Sequence, residues 1–342
     1  MQTLKEKVER SIQFLIEKVG YWVTPLILNF KDGKNKLLIF YFHGIYESES
    51  QKKLNHVDPQ NNLTLSQFIE FIDYFLHHKY HFIKPQDLSE NLPEDQAYIM
   101  LTFDDGYFNN TLAIEILNKY KIPATFFITT KNVLENTSYW WDIVYKYRLK
   151  EGKPLEKIRE EQLYLKGFKY PFIDNYMNQN FGCKSREPWS DIDRPLNTSE
   201  LKKIFQNPFA TIGNHTHNHS ILTNYTAQEV KEELSVSNKV LFEITGIKPL
   251  AVAFPNGNFN TQTLDVTRDL GFQFAFTTIN KLNSLPPANS RLICFNRFMI
   301  QPISIKKYAS LNRLGYTPKS LYSDIKKGFM PSKKTQFLNP AK

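Results

Sequence analysis

Cysteine is almost missing from this chain. Two residues, Cys183 and Cys294, serve 342 positions, and they form neither a CxxC pair nor a spacing that could build a disulfide framework. A disulfide-stapled scaffold is excluded, and the pattern suits a reducing compartment with room for one bridge at most. Long apolar runs are also missing. Val19–Phe30 is apolar but too short to span a bilayer, and Pro25 interrupts it. Met1–Phe30 has no secretory signal pattern, because Glu6, Glu9, Glu17 and several lysines break the run and no small-residue cleavage site follows. Internal repeats and low-complexity segments are absent too, which argues against solenoids and disordered linkers.

With 41% hydrophobic residues the chain can bury a full-size core, as one large domain or two ordinary ones. The 43 basic residues exceed the 34 acidic ones, giving a net charge of +9. The positive residues are spread along the chain, densest in Lys146–Lys169 and Lys306–Lys334. That distribution reads as solvated faces and a basic tail, so nucleic acid is not an expected partner. Ile12, Phe14, Leu15, Ile16 and Val19 form one apolar face of a helix. Such a face packs on the body of the domain or rests peripherally on a membrane surface, and the first is the expectation here.

The hydrophobic pattern alternates between two periods. Lys36–Phe42, Ala97–Phe103 and Ala124–Thr129 are short apolar runs that predict buried strands, with a shorter strand near His81–Ile83. Thr64–His78 and Tyr107–Tyr120 carry helical spacing between them. After a break, Thr198–Phe205 predicts a helix, Phe209–Ile212 a strand, and Thr226–Ile244 a helix opened by a Thr226/Glu229 capping box. Leu250–Phe254 predicts a strand, Thr263–Leu270 a helix, and Phe274–Thr277 a strand. Strand–helix alternation implies parallel strands with crossover helices. Lys146–Asn197 breaks the rhythm with charged, aromatic and proline-containing sequence, and reads as a partly helical insertion covering one face.

Two motifs carry chemistry. Thr102-Phe103-Asp104-Asp105-Gly106 stands where a buried strand gives way to a helix, the position where functional residues collect in parallel α/β folds. Adjacent buried acids are costly unless a positive group holds them; a metal ion can bind one and leave the other free as a base. His215-Thr216-His217-Asn218-His219 follows a second strand and holds three of the eight histidines. On a helical turn, the four-residue spacing of His215 and His219 puts both rings on one side, able to ligate one metal, with His217 aimed elsewhere. One carboxylate, two imidazoles and a neighbouring acid are equipment for metal-assisted hydrolysis.

Both motifs, in this order, resemble those of the polysaccharide deacetylase family, the NodB-homology carbohydrate esterase type. The resemblance runs from about Leu37 to Ile300 and includes Phe42-His43-Gly44, Ala124–Phe127, Trp140-Trp141-Asp142 and Ala253-Phe254-Pro255-Asn256-Gly257. It implies an α/β fold, a distorted (β/α) barrel in a single catalytic domain. Residues 36–300 form that domain, with the insertion at about 146–197, a helical extension at 1–35 and a basic tail at 301–342.

The resemblance further implies that Asp104 is the general base and that Asp105, His215 and His219 hold a divalent metal. Zinc is the expected ion, with cobalt, nickel or manganese as alternatives. Thr216 would shape the loop, and a backbone N–H beside Pro255 or Asn256 would help hold the oxyanion. The third motif lacks the arginine many members use to orient the base, and Arg297 is a candidate substitute from another element. No histidine follows His219, so the family's late acid is missing; His43 is the candidate donor, followed by Asp142. Phe254, Pro255, Asn256 and Trp141 are expected to contact substrate, and Trp140 lines the site or packs the insertion. The expected activity is removal of an acetyl group, N-linked ahead of O-linked, from an amino sugar in a glycan, glycolipid or lipid-linked precursor. Cleavage of another acyl or non-peptide C–N bond, or sugar binding without catalysis, are the alternatives. The cytoplasm, against the inner membrane face where lipid-linked sugars are built, is the expected location.

Overall fold

The structure is a computed structural model that describes residues 35–320, apart from 61–62, 91, 288–289, 301, 303, 318–319. Nearly all of the extension expected at 1–35 and most of the basic tail lie outside the described residues. No described helix is long and apolar enough to cross a membrane. Cys183 and Cys294 are exposed free thiols.

Strand β1 (Lys36–Phe42) is buried at every position after Lys36, so both of its faces must be covered. Helix α1 (Leu65–His77) covers one face with Phe68, Phe71, Ile72 and Phe75; a Thr64/Gln67 capping box fixes its start. A short strand β2 (Tyr80–Phe82) leads to β3 (Ala97–Phe103), helix α2 (Asn110–Tyr120) and β4 (Ala124–Ile128). The helices α3 (Trp140–Lys150), α4 (Leu155–Leu165) and α5 (Tyr170–Phe181) follow. Then come α6 (Thr198–Ile204), β5 (Ala210–Asn214), α7 (Ala227–Thr245), β6 (Ala251–Ala253), α8 (Thr261–Asp269) and β7 (Phe274–Phe276). Three short strands, β8 (Asn283–Ser284), β9 (Ile293–Phe295) and β10 (Phe298–Met299), precede helix α9 (Ile305–Arg313).

The main sheet runs β8-β1-β3-β4-β5-β6-β7-β9, with β10 beside β1 and β2 beside β3. Every pairing is parallel except β8 with β1. The sheet curls into a nearly closed barrel, the fold class expected from the sequence. Closure is made by two residues: Asn296 and Arg297 carry the chain from β9, paired with β7, to β10, paired with β1. The Asn283 side chain bridges that seam, accepting from Asn296 N–H at 2.9 Å and donating to Asn296 O at 2.9 Å. Parallel register puts the C-terminal ends of β1, β3, β5 and β6 at one mouth, so His43, Asp104, His215 and Phe254 share it.

The barrel interior is tightly filled. In β5, a Cβ on Gly213 would lie 2.2 Å from Phe127 Cδ1, so only glycine leaves room for that ring. Helices α3, α4 and α5, the region read as an insertion, carry a separate core around Trp141, Val144, Ile158, Leu165 and Met177. Packing also continues past Ile300: Ile305 and Ala309 of α9 join the main core, although the sequence suggested a tail from residue 301. The apolar stripe of α9 sits within strongly basic sequence, which hid it.

Candidate active site

The turn after β3 separates two adjacent acids. Asp104 N–H still donates to Phe42 O at 2.8 Å, which keeps Asp104 on the strand. Asp105 then takes φ +74° and Gly106 φ +93°, and Gly106 N–H closes back on Asp104 O at 3.0 Å. Aspartate tolerates the left-handed region better than most residues, and glycine enters it freely. The two carboxylates therefore point to different partners.

Asp105 faces the histidines. Its Oδ1 lies 3.3 Å from His215 Nε2 and 3.3 Å from His219 Nε2, and the donor atoms of all three residues fall within 4.8 Å of one another. The two histidines do not reach this point from a helical turn, as their spacing suggested. They sit on a bend in which Thr216 (φ +64°) and His219 (φ +52°) are left-handed. A β-branched residue there is strained. Hydrogen bonds hold it: Thr216 N–H donates to Asn214 Oδ1 at 2.8 Å, and Thr216 Oγ1 accepts from Ser220 N–H at 2.9 Å. Glu233 of α7 accepts from the N–H groups of His217 and Asn218, bracing the bend from outside. His217 turns away, its Nδ1 2.8 Å from Thr130 Oγ1.

This cluster fits a divalent cation. His215 Nδ1 donates to Ala253 O at 2.8 Å, which leaves the Nε2 lone pair of the neutral ring facing Asp105. Asp105 Oδ1 is buried and has no hydrogen-bond partner among the described residues. Lone pairs that converge on one point repel unless a cation or proton lies among them, and two imidazole nitrogens with a carboxylate oxygen are a donor set that zinc accepts. The electrostatics agree. Burial raises the Asp105 carboxyl, but its contacts with His215 and His219 outweigh this and hold it well below the usual range. Burial lowers His215, yet Asp105 and Asp104 bring it above an ordinary histidine; for His219 burial prevails and the ring lies below.

Asp104 faces Arg297, which sits in the seam between β9 and β10 and is fully buried. The guanidinium grips both carboxylate oxygens, Nη1 to Oδ1 at 2.7 Å and Nη2 to Oδ2 at 2.9 Å. Two further donors reach Thr102 Oγ1 (3.0 Å) and Thr277 O (2.9 Å), and the Tyr41 ring lies 4.8 Å beneath it. Burial alone would raise the Asp104 carboxyl; the charge and hydrogen bonds of Arg297 hold it below the ordinary value, so it is ionised at neutral pH. Burial pushes the Tyr41 phenol up to about 12, which keeps it a neutral neighbour.

A cavity of about 500 Å³ opens over these groups. Asp104, His215, His219, His43, Trp140, Trp141, Phe254 and Asn256 line it, whereas Pro255 does not. Trp141 backs the cluster, its ring 4.4 Å from that of His219. Asp142, considered a proton donor from sequence, is absent from the lining. It is fully buried and accepts from Tyr107 Oη–H at 2.7 Å and Asp58 N–H at 2.8 Å. Its effect reaches the site through packing: the Tyr107 hydroxyl accepts from Trp141 Nε1–H at 2.9 Å, and Tyr139 donates to Asp105 O at 2.9 Å.

The sequence pattern of the polysaccharide deacetylase family matches residues 91–275, more than half of the chain and inclusive of both motifs. This chain belongs to that family. Among curated relatives, the peptidoglycan-N-acetylmuramic acid deacetylase PdaA of Bacillus subtilis is 23% identical over 232 residues, covering 67% of this chain and 59% of PdaA. The chain spans about half the length, 51%, of a further Bacillus subtilis relative. Two solved structures share the fold. The Streptococcus pyogenes deacetylase PplD, in complex with acetate, aligns with TM-score 0.54 at 18% identity over 80% of this chain and 96% of PplD. A Bacillus cereus polysaccharide deacetylase aligns with TM-score 0.56 at 19% identity over 81% of this chain and 69% of its own.

Within this family member, sequence reasoning missed the insertion's part in the cavity. Arg159, Gln162 and Lys166 of α4 line it together with Asp58. Spaced three and four residues apart, they occupy one helical stripe, but in charged sequence such a stripe reads as a solvated face.

Proposed function

We propose that this polysaccharide deacetylase is a metal-dependent hydrolase that removes an N-acetyl group from an amino sugar. The observation that carries the reading is the division of labour between the two aspartates. Asp105 converges with His215 and His219, while Asp104, ionised and held by Arg297, stays beside them at the floor of the same cavity. Asp105, His215 and His219 would hold the divalent cation, which when bound supplies Lewis acidity toward the acyl oxygen and the attacking water. Asp104 takes the proton from that water as it adds to the acetyl carbon. Arg297 orients the carboxylate and keeps it charged until then. Among the described residues His43 is the one cavity-lining histidine outside the three-donor cluster, and it donates to the amine as the C–N bond breaks. Trp141 and Phe254 offer aromatic walls to the sugar ring. Location in the cytoplasm, near the inner membrane face, belongs to this proposal on the sequence reading alone, and fractionation tests it.

The test measures metal and acetate together. Zinc added to the metal-stripped chain is expected to raise its melting temperature and to restore acetate release from an N-acetylated chitooligosaccharide. Binding only to the native state at a hundredfold over Kd stabilises by about 2.7 kcal/mol. His215→Ala and His219→Ala are expected to lose both effects. Unchanged melting with zinc, or ammonia released in place of acetate, contradicts the reading. His43→Gln is expected to lower kcat by roughly 10²-fold while zinc binding, measured by calorimetry, persists. Wild-type kcat in that variant removes His43 from the mechanism.

A further inference from the structure

Helix α4 belongs to the insertion rather than to the barrel, yet it places three polar side chains at the cavity: Arg159, Gln162 and, at the helix C-terminus, Lys166. Their charges are not equally matched. The Arg159 guanidinium pairs with Asp58, and Gln162 Nε2 donates to the same Asp58 oxygen at 2.7 Å and to Trp141 O at 2.9 Å. Asp104 is occupied by Arg297, and Asp105 by the histidine cluster. The two carboxylates that line the cavity, Asp58 and Asp104, and Asp105 beside them therefore each have a cationic or metal-ligating assignment.

Lys166 has none. Its ammonium reaches across to a neutral acceptor, Asn256 Oδ1, at 2.7 Å, and it forms no ion pair among the described residues. A lysine at a helix C-terminus commonly turns to its own last carbonyls or to solvent. This one instead spans from α4 to the turn after β6. Burial pushes its ammonium pKa down, and the attraction of Asp58 and Asp105 offsets this only in part. A half-buried cation paired with an amide side chain is poised to exchange that amide for an anion, because a hydrogen bond between charged partners is roughly twice as strong. Asn256 is held in a left-handed turn (φ +58°) and donates to Asn258 Oδ1, so it keeps a partner when Lys166 leaves it.

We infer that the cavity selects an acetamido sugar bearing an anionic group, a phosphate or a carboxylate, which Lys166 of the insertion helix binds. The inference rests on the deacetylase reading and adds the substrate class. Arg159 at the rim reinforces the field that draws such a substrate in, while its pairing with Asp58 leaves Lys166 as the direct partner.

The experiment compares kcat/KM for acetate release by the zinc-loaded full chain on three substrates: a neutral N-acetylated chitooligosaccharide, N-acetylglucosamine 1-phosphate and N-acetylmuramic acid. At least one anionic substrate is expected to be preferred over the neutral one by roughly 10- to 100-fold, the scale of a charged hydrogen bond. The preferred anion identifies phosphate or carboxylate as the source. In Lys166→Met the ratio of anionic to neutral kcat/KM is expected to fall close to one, with the change in KM rather than kcat, and in Lys166→Glu to fall below one. The wild-type preference is expected to weaken as salt rises. Calorimetry of the same anionic sugars with wild type and Lys166→Met gives a readout independent of turnover. Equal ratios in wild type and Lys166→Met, together with equal binding, overturn the inference. Brisk turnover of the neutral substrate in that case leaves the deacetylase reading standing. Absence of acetate release from all three overturns that reading instead, and the binding comparison still decides on Lys166.

Discussion

Asp104→Asn is expected to cut acetate release by about 10²- to 10⁴-fold while leaving zinc binding in place, the span that a positioned general base contributes. The substitution keeps the shape of the side chain but leaves one acceptor oxygen where two accepted from Arg297, and it removes the negative charge that accepts a proton. The neighbouring three-donor cluster does not use Asp104, so metal affinity measured by calorimetry should survive. Asp105→Asn makes the contrast: there the metal affinity itself is expected to fall. The two adjacent acids thus separate into different measurable roles. If Asp104→Asn and wild type release acetate at similar rates, the assignment of the base is wrong and the proton must leave by another group.

The second large effect is expected at Arg297. Arg297→Met leaves Asp104 buried and ionised without its partner, and breaking a buried pair on one side costs about 3–5 kcal/mol. A urea unfolding series measures this. The kinetics should shift as well. In the wild type, Arg297 holds the Asp104 carboxyl below its ordinary value against the pull of burial. With the guanidinium gone, burial prevails, the carboxyl rises, and the base is protonated at pH values where the wild type is still charged. The acid limb of kcat/KM therefore moves to higher pH, and activity is lost sooner as pH falls. Arg297→Lys keeps the charge without the two-pronged grip, so it should recover part of the limb position and little of the orientation. An unmoved limb together with unchanged urea stability would remove Arg297 from the argument.

Much of the site was legible because its parts are local. Thr102–Gly106 and His215–His219 each announce themselves within five residues, the first after a strand whose apolar run is plain and the second after a short strand. The barrel strands β1, β3 and β4 and the helices α1 and α7 sit within a residue or two of where periodicity and capping boxes place them. The short strands were harder. β8, β9 and β10 are two or three residues long and interrupted by polar seam residues, so no alternation develops. The geometry of the histidine bend was misjudged for a different reason. A four-residue spacing satisfies a helical turn, but two left-handed residues bring the same rings together without one.

The sequence by itself determined the order of strands and helices, the two chemical motifs and the class of reaction they suit. These depend on neighbours in the chain, through steric preference, hydrophobic period and residue type. Only the tertiary structure decided which arginine holds Asp104, since Arg297 and Asp104 are 193 positions apart and meet because the barrel closes at the β9–β10 seam. It alone also decided that Asp142 supports from beneath, and that Lys166 enters the cavity against the neutral Asn256 side chain. Charge pairing and burial are sums over everything that folding brings near, and no local pattern along the chain contains that sum.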